Sequence, residues 1–342
     1  MRIVIPSVQV PFIRGGANLM TEGLANALRE AGHEVEIVTF PFKFFPEAYI
    51  DGLIDIWMAQ DFSNFNGYKI DRVIVLQFPA YFVRHQDKAL WLMHQHRAVY
   101  DSYHAENASD ELSRLRDKIH PLDTAELKKY KIIYTMSKNV SHRLKKYNDI
   151  PSIPLYHPPY GGDLFYCEEP YDYIFYPSRL ESHKRQDLLI KAMKLTRTPV
   201  KAIIAGIGGQ EQRYRKLIED LELRPKVRLI GTISEEEKYA FYARALAVFF
   251  GPLDEDYGYV TLEAMLSQKS IITCTDSGGP LEFILDRGNG FIIEPNPELI
   301  AERMDWLYEN QQKAKEMGKC GLESYKKKNI NWENVVRRLV EQ

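Results

Sequence analysis

Two series of short apolar segments, each followed by a stretch with helical spacing, run along this chain. In the first series, an apolar segment at residues 2–6 leads through a glycine pair to apolar residues spaced as on one face of a helix. Strand-like segments then follow at residues 34–39, 73–76, 89–93 and 132–135. Strands buried on both faces of a parallel sheet have this continuous apolar character, and helices connect them. The first series therefore predicts a doubly wound α/β domain.

The same alternation restarts after a break rich in proline. Four prolines lie between residues 150 and 159 and two glycines follow at 161–162, so we place an interdomain linker around residues 158–170. Six more strand-like segments lie beyond it, at residues 173–176, 201–205, 227–230, 246–250, 271–274 and 291–293. Residues 41–69, by contrast, are aromatic and irregular and predict few regular elements.

The length of the chain agrees with two domains. It has 342 residues, and domains of this kind have roughly 100–200 residues each. We expect an α/β protein with two Rossmann-like, doubly wound parallel-sheet domains facing a cleft, over residues 1–160 and 170–328. Residues 329–342 are predicted to form a terminal helix, one that could pack back on the first domain.

Composition excludes several classes of protein. Lys and Arg total 45 and Asp and Glu total 47, a formal net charge of -2, so no global basic field favours nucleic acid as a partner. Cys167, Cys274 and Cys320 form no CxxC motif, which predicts reduced thiols and no structural zinc. No apolar run approaches the roughly 20 residues of a membrane span, and the sequence opens on a strand without a signal-peptide pattern. We expect a cytoplasmic protein.

Glycines and cations follow several of the predicted strands. Gly15 and Gly16 lie between the first strand and the first helix, where free backbone N–H groups can bind phosphate, although the GxGxxG fingerprint is not present. Arg179 and Lys184 follow the strand at 173–176 and could hold a diphosphate without a metal ion. Taken singly, each feature has an alternative interpretation. The alternative for the glycine pair is a plain tight turn, and the alternative for the two cations is a solvated surface pair.

Two glutamates give the most informative spacing. Glu255 falls in the loop after a buried strand, and Glu263, separated from it by seven residues, falls one turn into a helix that begins near Tyr259. Carboxylates so placed can accept hydrogen bonds from two hydroxyl-bearing parts of one ligand, and the helix N-terminus between them faces an anion. Gly278 and Gly279 repeat the order of strand, glycine turn and helix start.

The whole chain resembles the retaining glycosyltransferases of family four, which have the two-domain GT-B fold and a Glu-x7-Glu motif. The matching positions occur in family order and at family-like spacing, and they are Gly15 and Gly16, Arg179 and Lys184, Gly206, Glu255 to Glu263, and Gly278 and Gly279.

The resemblance implies a role for each matching residue. Arg179 and Lys184 would bind the donor diphosphate, which Gly16 would approach from the other domain, and Gly206 would belong to the same donor site. Glu255 would bind the hydroxyls of the donor sugar and Glu263 the nucleotide ribose. The base would stack near residues 231–233, which include Thr232. Sugar and phosphate would contact the backbone of Tyr257, Gly258, Tyr259, Val260 and Thr261.

Members of this family also present a histidine after a middle strand of the first domain, close to the donor sugar. His94 and His96 both follow the apolar segment at 89–93. We prefer His94 because it follows that segment directly, and His96 stays open. A histidine satisfied by neighbouring backbone is the alternative for either. With His94, the predicted catalytic residues are Arg179, Lys184 and Glu255.

The predicted function is that of a retaining hexosyltransferase in polysaccharide or glycan synthesis, needing neither metal nor cofactor. Its donor is a nucleoside-diphosphate sugar and its acceptor a glycan or a lipid-linked molecule. A nucleotide-sugar epimerase of the same architecture and a non-catalytic nucleotide-sugar-binding scaffold are the alternatives. A glycosidase is excluded because the two carboxylates of a glycosidase must flank one bond, whereas Glu255 and Glu263 are expected to bind different parts of one ligand. Residues 41–69 and 77–81 depart from the family pattern, so the acceptor stays open, as do the nucleotide, the sugar and the oligomeric state.

Local charge in the first domain suggests a location for the enzyme. Basic clusters lie at residues 127–131 and 142–146, with Arg114 and Arg116 upstream. Each cation near an anionic leaflet contributes about 1 kcal/mol, so such clusters predict peripheral contact with the inner face of the cytoplasmic membrane. A merely solvated basic face is the alternative.

Overall fold

The structure, a computed structural model, describes residues 1–13 and 15–341. The chain divides into two compact units, one formed by Met1–Tyr160 with Ile330–Gln342 and the other by Gly161–Asn329. Each unit has a parallel six-stranded sheet of its own.

Within residues 1–13 and 15–160, the structure shows eight strands and four α-helices. Six strands form the parallel sheet, in the order β2-β1-β5-β6-β7-β8, and the other two form a short antiparallel hairpin. The strands are β1 (Arg2–Gln9), β2 (Glu34–Pro41), β3 (Asn64–Phe65), β4 (Tyr68–Lys69), β5 (Arg72–Val75), β6 (Lys88–Leu92), β7 (Ile133–Thr135) and β8 (Ile153–Pro154). The helices are α1 (Gly16–Glu30), α2 (Glu47–Ala59), α3 (Asp110–Leu127) and α4 (Lys138–Asn148).

The second unit repeats this architecture, with the sheet order β11-β10-β9-β12-β13-β14. Its strands are β9 (Tyr173–Pro177), β10 (Lys201–Ala205), β11 (Val227–Gly231), β12 (Ala247–Phe249), β13 (Ser270–Cys274) and β14 (Gly290–Ile293). Its helices are α5 (Gln186–Leu195), α6 (Glu211–Asp220), α7 (Glu235–Arg244), α8 (Tyr259–Leu266), α9 (Pro297–Glu309) and α10 (Gln311–Lys327).

Burial explains why these segments become strands. All five residues of β13 are buried, and so is every residue of β5, as expected where helices cover both faces of a parallel sheet. The predicted α/β class with two doubly wound parallel sheets is confirmed. In the second unit the strand order reverses between β9 and β12. Ligands of open α/β sheets bind outside the carboxyl ends of the strands at such a reversal.

The last helix, α11 (Trp332–Val340), belongs to the first unit. Its Trp332 ring lies edge-on to Trp91 at 6.3 Å between centroids and 5.7 Å from the ring of His157. Gly23 on α1 lies directly against Trp332, because a Cβ at this glycine would overlap the indole. The chain therefore returns to the first unit after completing the second.

Some elements differ from the predictions. The aromatic stretch 41–69 contains the helix α2, whose buried Ile50, Leu53, Ile54 and Trp57 follow helical spacing. The helix α10 was not predicted, and the helix start expected at Gly278 and Gly279 is a single 3₁₀ turn, Gly279–Glu282. In the described part of the chain, no helix is both long enough and apolar enough to cross a membrane.

Candidate functional site

The loops after β9 and β12 meet at the carboxyl edge of the second sheet, where the strand order reverses. Lys184 ends a 3₁₀ turn after β9, and its ammonium group forms an ion pair with the carboxylate of Glu255, in the loop after β12. Only 9% of Lys184 is exposed, and its Nζ lies 5.8 Å from the centre of the Phe250 ring. The structure thus brings two of the predicted catalytic residues into direct contact.

Backbone interactions hold Lys184 in place. The hydroxyl of Tyr176, at the end of β9, donates a hydrogen bond to the carbonyl oxygen of Lys184. The following residue, Arg185, has a left-handed backbone with φ of 56°, which turns the chain directly into α5. Lys184 is therefore positioned by a buried strand on one side and a helix start on the other.

Arg179 lies in the same loop but is exposed. Its guanidinium has no hydrogen bond or ion pair with the residues that the structure describes, so it is available to an anionic ligand. Its carbonyl oxygen accepts a hydrogen bond of 2.9 Å from the side chain of Gln186. The loop backbone is thereby tied to the first residue of α5.

Gly206 explains how the neighbouring loop fits against that of Arg179. Its φ is +134°, and a Cβ there would overlap the carbonyl oxygen of Ser178. Its N–H donates to the carbonyl oxygen of Gly231 at 2.7 Å, while the N–H of Ser178 donates to Ala205 at 2.9 Å. The loops after β9, β10 and β11 therefore pack backbone against backbone, which requires glycine at this point.

The glycine pair at 278–279 holds the loop of Glu255. The N–H of Glu255 donates to the carbonyl oxygen of Ser277 at 3.0 Å, and its own carbonyl oxygen accepts from Gly279 at 2.8 Å. A Cβ at Gly279 would lie 2.7 Å from the carbonyl oxygen of Tyr257. The loop after β13 thus fixes the backbone of Glu255 through these two backbone hydrogen bonds.

Glu263 lies on α8 and faces the neighbouring helix α7. The hydroxyl of Tyr242 donates a hydrogen bond of 2.6 Å to its Oε2, and the ammonium nitrogen of Lys238 lies 3.6 Å from its Oε1. Burial works to lower the pKa of Lys238, but the carboxylates of Glu263 and Glu235 together raise it above its ordinary value. Glu263 is therefore held beside a lysine that remains charged at neutral pH.

The start of α8 lies between the two glutamates in sequence. Gly258 precedes the helix with φ of +88°, and a Cβ there would lie 2.8 Å from the ring of Pro280. Tyr257 is buried, and its ring lies edge-on to Phe283 at 5.5 Å, while Tyr259 and Val260 are half-buried. Across residues 1–13 and 15–341, the buried hydroxyl of Thr261 finds no hydrogen-bond partner.

The remaining predicted residues lie elsewhere. Thr232 is exposed, immediately after β11. Gly16, in the first unit, is the exposed first residue of α1. His94, also in the first unit, follows β6; it is half-buried, and its Nδ1 lies 2.7 Å from the carbonyl oxygen of Gln95. If Nδ1 carries the proton, it donates to that oxygen and leaves Nε2 free to act as an acceptor.

His96 has a different environment from His94. It is buried and stacks on Phe78 with 5.1 Å between ring centres. Burial, with a smaller contribution from His94, lowers the pKa of His96 to about 4, so it is neutral at neutral pH. His94 is the more accessible of the two.

Arg185 and Asp276 were missed by sequence reasoning. The guanidinium of Arg185 donates to both carboxylate oxygens of Asp276, at 2.7 and 2.8 Å, and to the carbonyl oxygens of Gly251 and Pro252 at 2.8 Å each. It therefore fastens the loops after β12 and β13 to the start of α5. The sequence feature that could have identified Arg185 is its position directly after Lys184.

Comparisons with known proteins show that this chain is similar to glycosyltransferases. Residues 167–323 match the family model described as glycosyl transferases group 1. An uncharacterized glycosyltransferase of Methanocaldococcus jannaschii is 25% identical over 98% of this chain and 96% of its own length. Mouse alpha-1,3/1,6-mannosyltransferase ALG2 is 31% identical over 110 residues, which are 32% of this chain and 26% of the mouse protein.

Solved structures confirm the fold of the whole chain. Anabaena HepE in complex with UDP has a TM-score of 0.73 and 15% identity, covering 100% of this chain and 99% of that one. The architecture is the GT-B fold. Together, the family model and the relatives support a glycosyltransferase enzyme.

Proposed function

We propose that this chain is a retaining glycosyltransferase that moves a hexose from a nucleoside-diphosphate sugar to a glycan or lipid-linked acceptor without a metal ion. The observation that carries the proposal is the ion pair of Lys184 with Glu255 at the strand reversal between β9 and β12. A nearly buried ammonium group at the ligand-binding edge of a sheet suits a diphosphate, and a carboxylate beside it suits sugar hydroxyls.

Lys184 and Arg179 would stabilise the leaving group. As the bond between the sugar carbon and the phosphate oxygen breaks, the nucleoside diphosphate gains negative charge, and fixed positive groups lower the barrier. The N–H groups at the start of α8 would contribute in the same direction. The arriving diphosphate would compete with Glu255 for the ammonium group of Lys184, and Glu255 would then turn to the sugar hydroxyls.

Retention would follow from attack on the face that the leaving group departs. The acceptor oxygen forms the new bond to the sugar carbon, the bond to the phosphate oxygen breaks, and that phosphate oxygen takes the acceptor proton. No covalent intermediate with the protein is required, so Glu255 orients the donor rather than attacking it.

The proposal does not specify which nucleotide base the donor carries. The HepE structure contains UDP, and the mouse relative is by its name a mannosyltransferase; these names do not fix one donor. Thermal unfolding with UDP, GDP, ADP, CDP and TDP would identify the base. A ligand at 100 times its dissociation constant stabilises by about 2.7 kcal/mol. Failure of all five to stabilise the protein would contradict the proposal.

Variants of the protein and analysis of the reaction products make the thermal-unfolding experiment specific. Lys184→Met should lose the response, whereas Lys191→Met, at an exposed lysine of α5 that pairs with Asp187 at 3.0 Å, should keep it. Incubation with the matching nucleotide sugar and analysis of the released or transferred sugar by NMR would then follow. The first-formed anomer should be that of the donor; inversion would contradict the retaining mechanism, and isomerised nucleotide sugar would indicate an epimerase.

We also propose peripheral membrane contact through the basic clusters of the first unit, although part of their charge is neutralised. Arg143 is buried and lies 3.7 Å from Asp101, and Lys145 pairs with Asp149 at 2.5 Å. Lys131 and Lys146 are exposed. Binding to anionic vesicles that weakens with salt supports the proposal, and equal, negligible binding to anionic and neutral vesicles ends it.

A further inference from the structure

Two residues of α7 converge on the carboxylate of Glu263. Lys238 and Tyr242 are four residues apart, so their side chains lie on one face of the helix. Tyr242 reaches one carboxylate oxygen of Glu263 and Lys238 approaches the other. Each carboxylate oxygen therefore has its own neighbour, and Tyr242 and Lys238 together define the plane of the carboxylate.

Several contacts immobilise the side chain of Lys238. Its ammonium group pairs with Glu235 at 2.6 Å and lies 5.6 and 5.3 Å from the ring centres of Phe165 and Tyr239. Only 14% of its side chain is exposed. These contacts offset the conformational entropy that is lost when a long side chain is ordered. They hold the positive charge of Lys238 at one place, beside Glu263.

The carboxylate keeps unused acceptor capacity. An ionised carboxylate offers about four lone-pair sites, and Tyr242 occupies one of them. At 3.6 Å from Oε1, the ammonium group of Lys238 attracts the carboxylate without a hydrogen bond of normal length. With respect to the residues that the structure describes, lone pairs on both oxygens thus remain for donors from a ligand. Two adjacent hydroxyl groups match the two oxygens of one carboxylate.

We propose that Tyr242 and Lys238 are positioning residues that orient Glu263, so that it accepts both hydroxyls of the nucleotide ribose. The inference rests on the proposed function, in which Glu263 binds the ribose. Tyr242 sets the rotation of the carboxylate, and Lys238 holds a positive charge beside its other oxygen. Neither residue touches the nucleotide.

The preference for ribose over deoxyribose tests this inference. UDP and 2′-deoxy-UDP, or the same pair for the base that responds in thermal unfolding, would be titrated by calorimetry. Losing one hydrogen bond to a charged acceptor should weaken the deoxynucleotide about tenfold or more in the wild-type protein. Tyr242→Phe and Lys238→Met should each reduce this ratio several-fold by weakening the ribonucleotide more than the deoxynucleotide.

Two variants serve as controls. Tyr239→Phe removes a hydroxyl from the same helix, but that hydroxyl bonds to Glu235 at 3.3 Å rather than to Glu263, so the ratio should be unchanged. Lys238→Arg keeps the charge and should retain most of the ratio. Because the ratio compares two ligands on one protein, a variant that is merely less stable does not change it.

The outcomes separate the inference from the proposed function. If Tyr242→Phe and Lys238→Met weaken both nucleotides equally, the two residues are structural and the inference is wrong. Equal binding of both nucleotides by the wild-type protein, with binding still dependent on Lys184, also overturns the inference but leaves the proposed function standing. Absence of nucleotide binding altogether overturns both.

Discussion

The ammonium group of Lys184 forms an ion pair with the carboxylate of Glu255, although the two residues are 71 positions apart in the sequence. The pair joins the loop after β9 to the loop after β12, which are neighbours because the sheet places these strands side by side. The charge that a diphosphate would bind and the carboxylate that a sugar would bind thus lie together before any ligand arrives.

This pair should be measurable as a coupling energy. Lys184→Met leaves a partly buried carboxylate without its cation, and Glu255→Gln leaves the cation without its carboxylate, so each should destabilise the protein by about 1–3 kcal/mol. The double variant should lose less than the sum of the two. Urea unfolding of all four proteins gives the values, and strict additivity would show that the pair has no coupling.

The two glutamates should differ in which ligand they affect. Glu263→Ala should weaken binding of both the nucleotide sugar and the bare nucleoside diphosphate, because both contain the ribose. Glu255→Ala should weaken the nucleotide sugar but leave the diphosphate nearly unaffected. Each lost acceptor should cost about 1–3 kcal/mol in calorimetric titrations. Equal losses for the bare diphosphate in both variants would contradict this division of roles.

Gly206→Ala should damage the donor site through the backbone. The glycine has φ of +134°, and the added methyl group would overlap the carbonyl oxygen of Ser178, next to Arg179. A strained backbone of this kind costs about 1–3 kcal/mol, and nucleotide affinity should fall as the loop shifts. The matched control is Gly209→Ala, whose new methyl group meets nothing nearer than the Glu181 carboxylate at 3.8 Å. Similar thermal stability and affinity in the two variants would show that the packing of this loop is not critical.

Stability should fall in acid partly because of His157. Burial lowers the pKa of His157 to about 3, whereas an unfolded histidine titrates near 6.5. The unfolded chain therefore binds the proton first, and the stability present above pH 6.5 is lost as the pH falls towards 3, by about 3 kcal/mol at pH 4. In His157→Gln the free energy of unfolding should decrease less steeply over this range. Identical pH slopes for the two proteins would exclude His157 as a source of the acid sensitivity.

Sugar transfer should survive excess EDTA. Lys184, Arg179 and the start of α8 are proposed to neutralise the leaving diphosphate, so the rate should stay within about twofold after chelation, since charge stabilisation is already supplied by the protein. The assay is turnover of the nucleotide sugar with and without EDTA. Complete loss of turnover, restored only by magnesium or manganese, would contradict a metal-independent mechanism.

The sequence by itself determined the two parallel sheets and the ends of the strands that carry the candidate residues. Continuous apolar segments such as 173–176 and 271–274 are typical of strands in a sheet covered on both faces, and glycines after them indicate where the chain must turn tightly. The helix α2 was equally encoded, by Ile50, Leu53, Ile54 and Trp57, but the surrounding aromatic residues obscured its period.

Only the tertiary structure decided which side chains meet. The contacts of Lys184 with Glu255, Arg185 with Asp276, and Tyr242 and Lys238 with Glu263 join segments that are far apart in the sequence. Local spacing predicts a helix or a strand because backbone hydrogen bonds and neighbouring side chains act over a few residues. The partner of a buried charge, however, depends on the order of strands in the sheet and on which helix packs beside another, and these are set by the folded core as a whole.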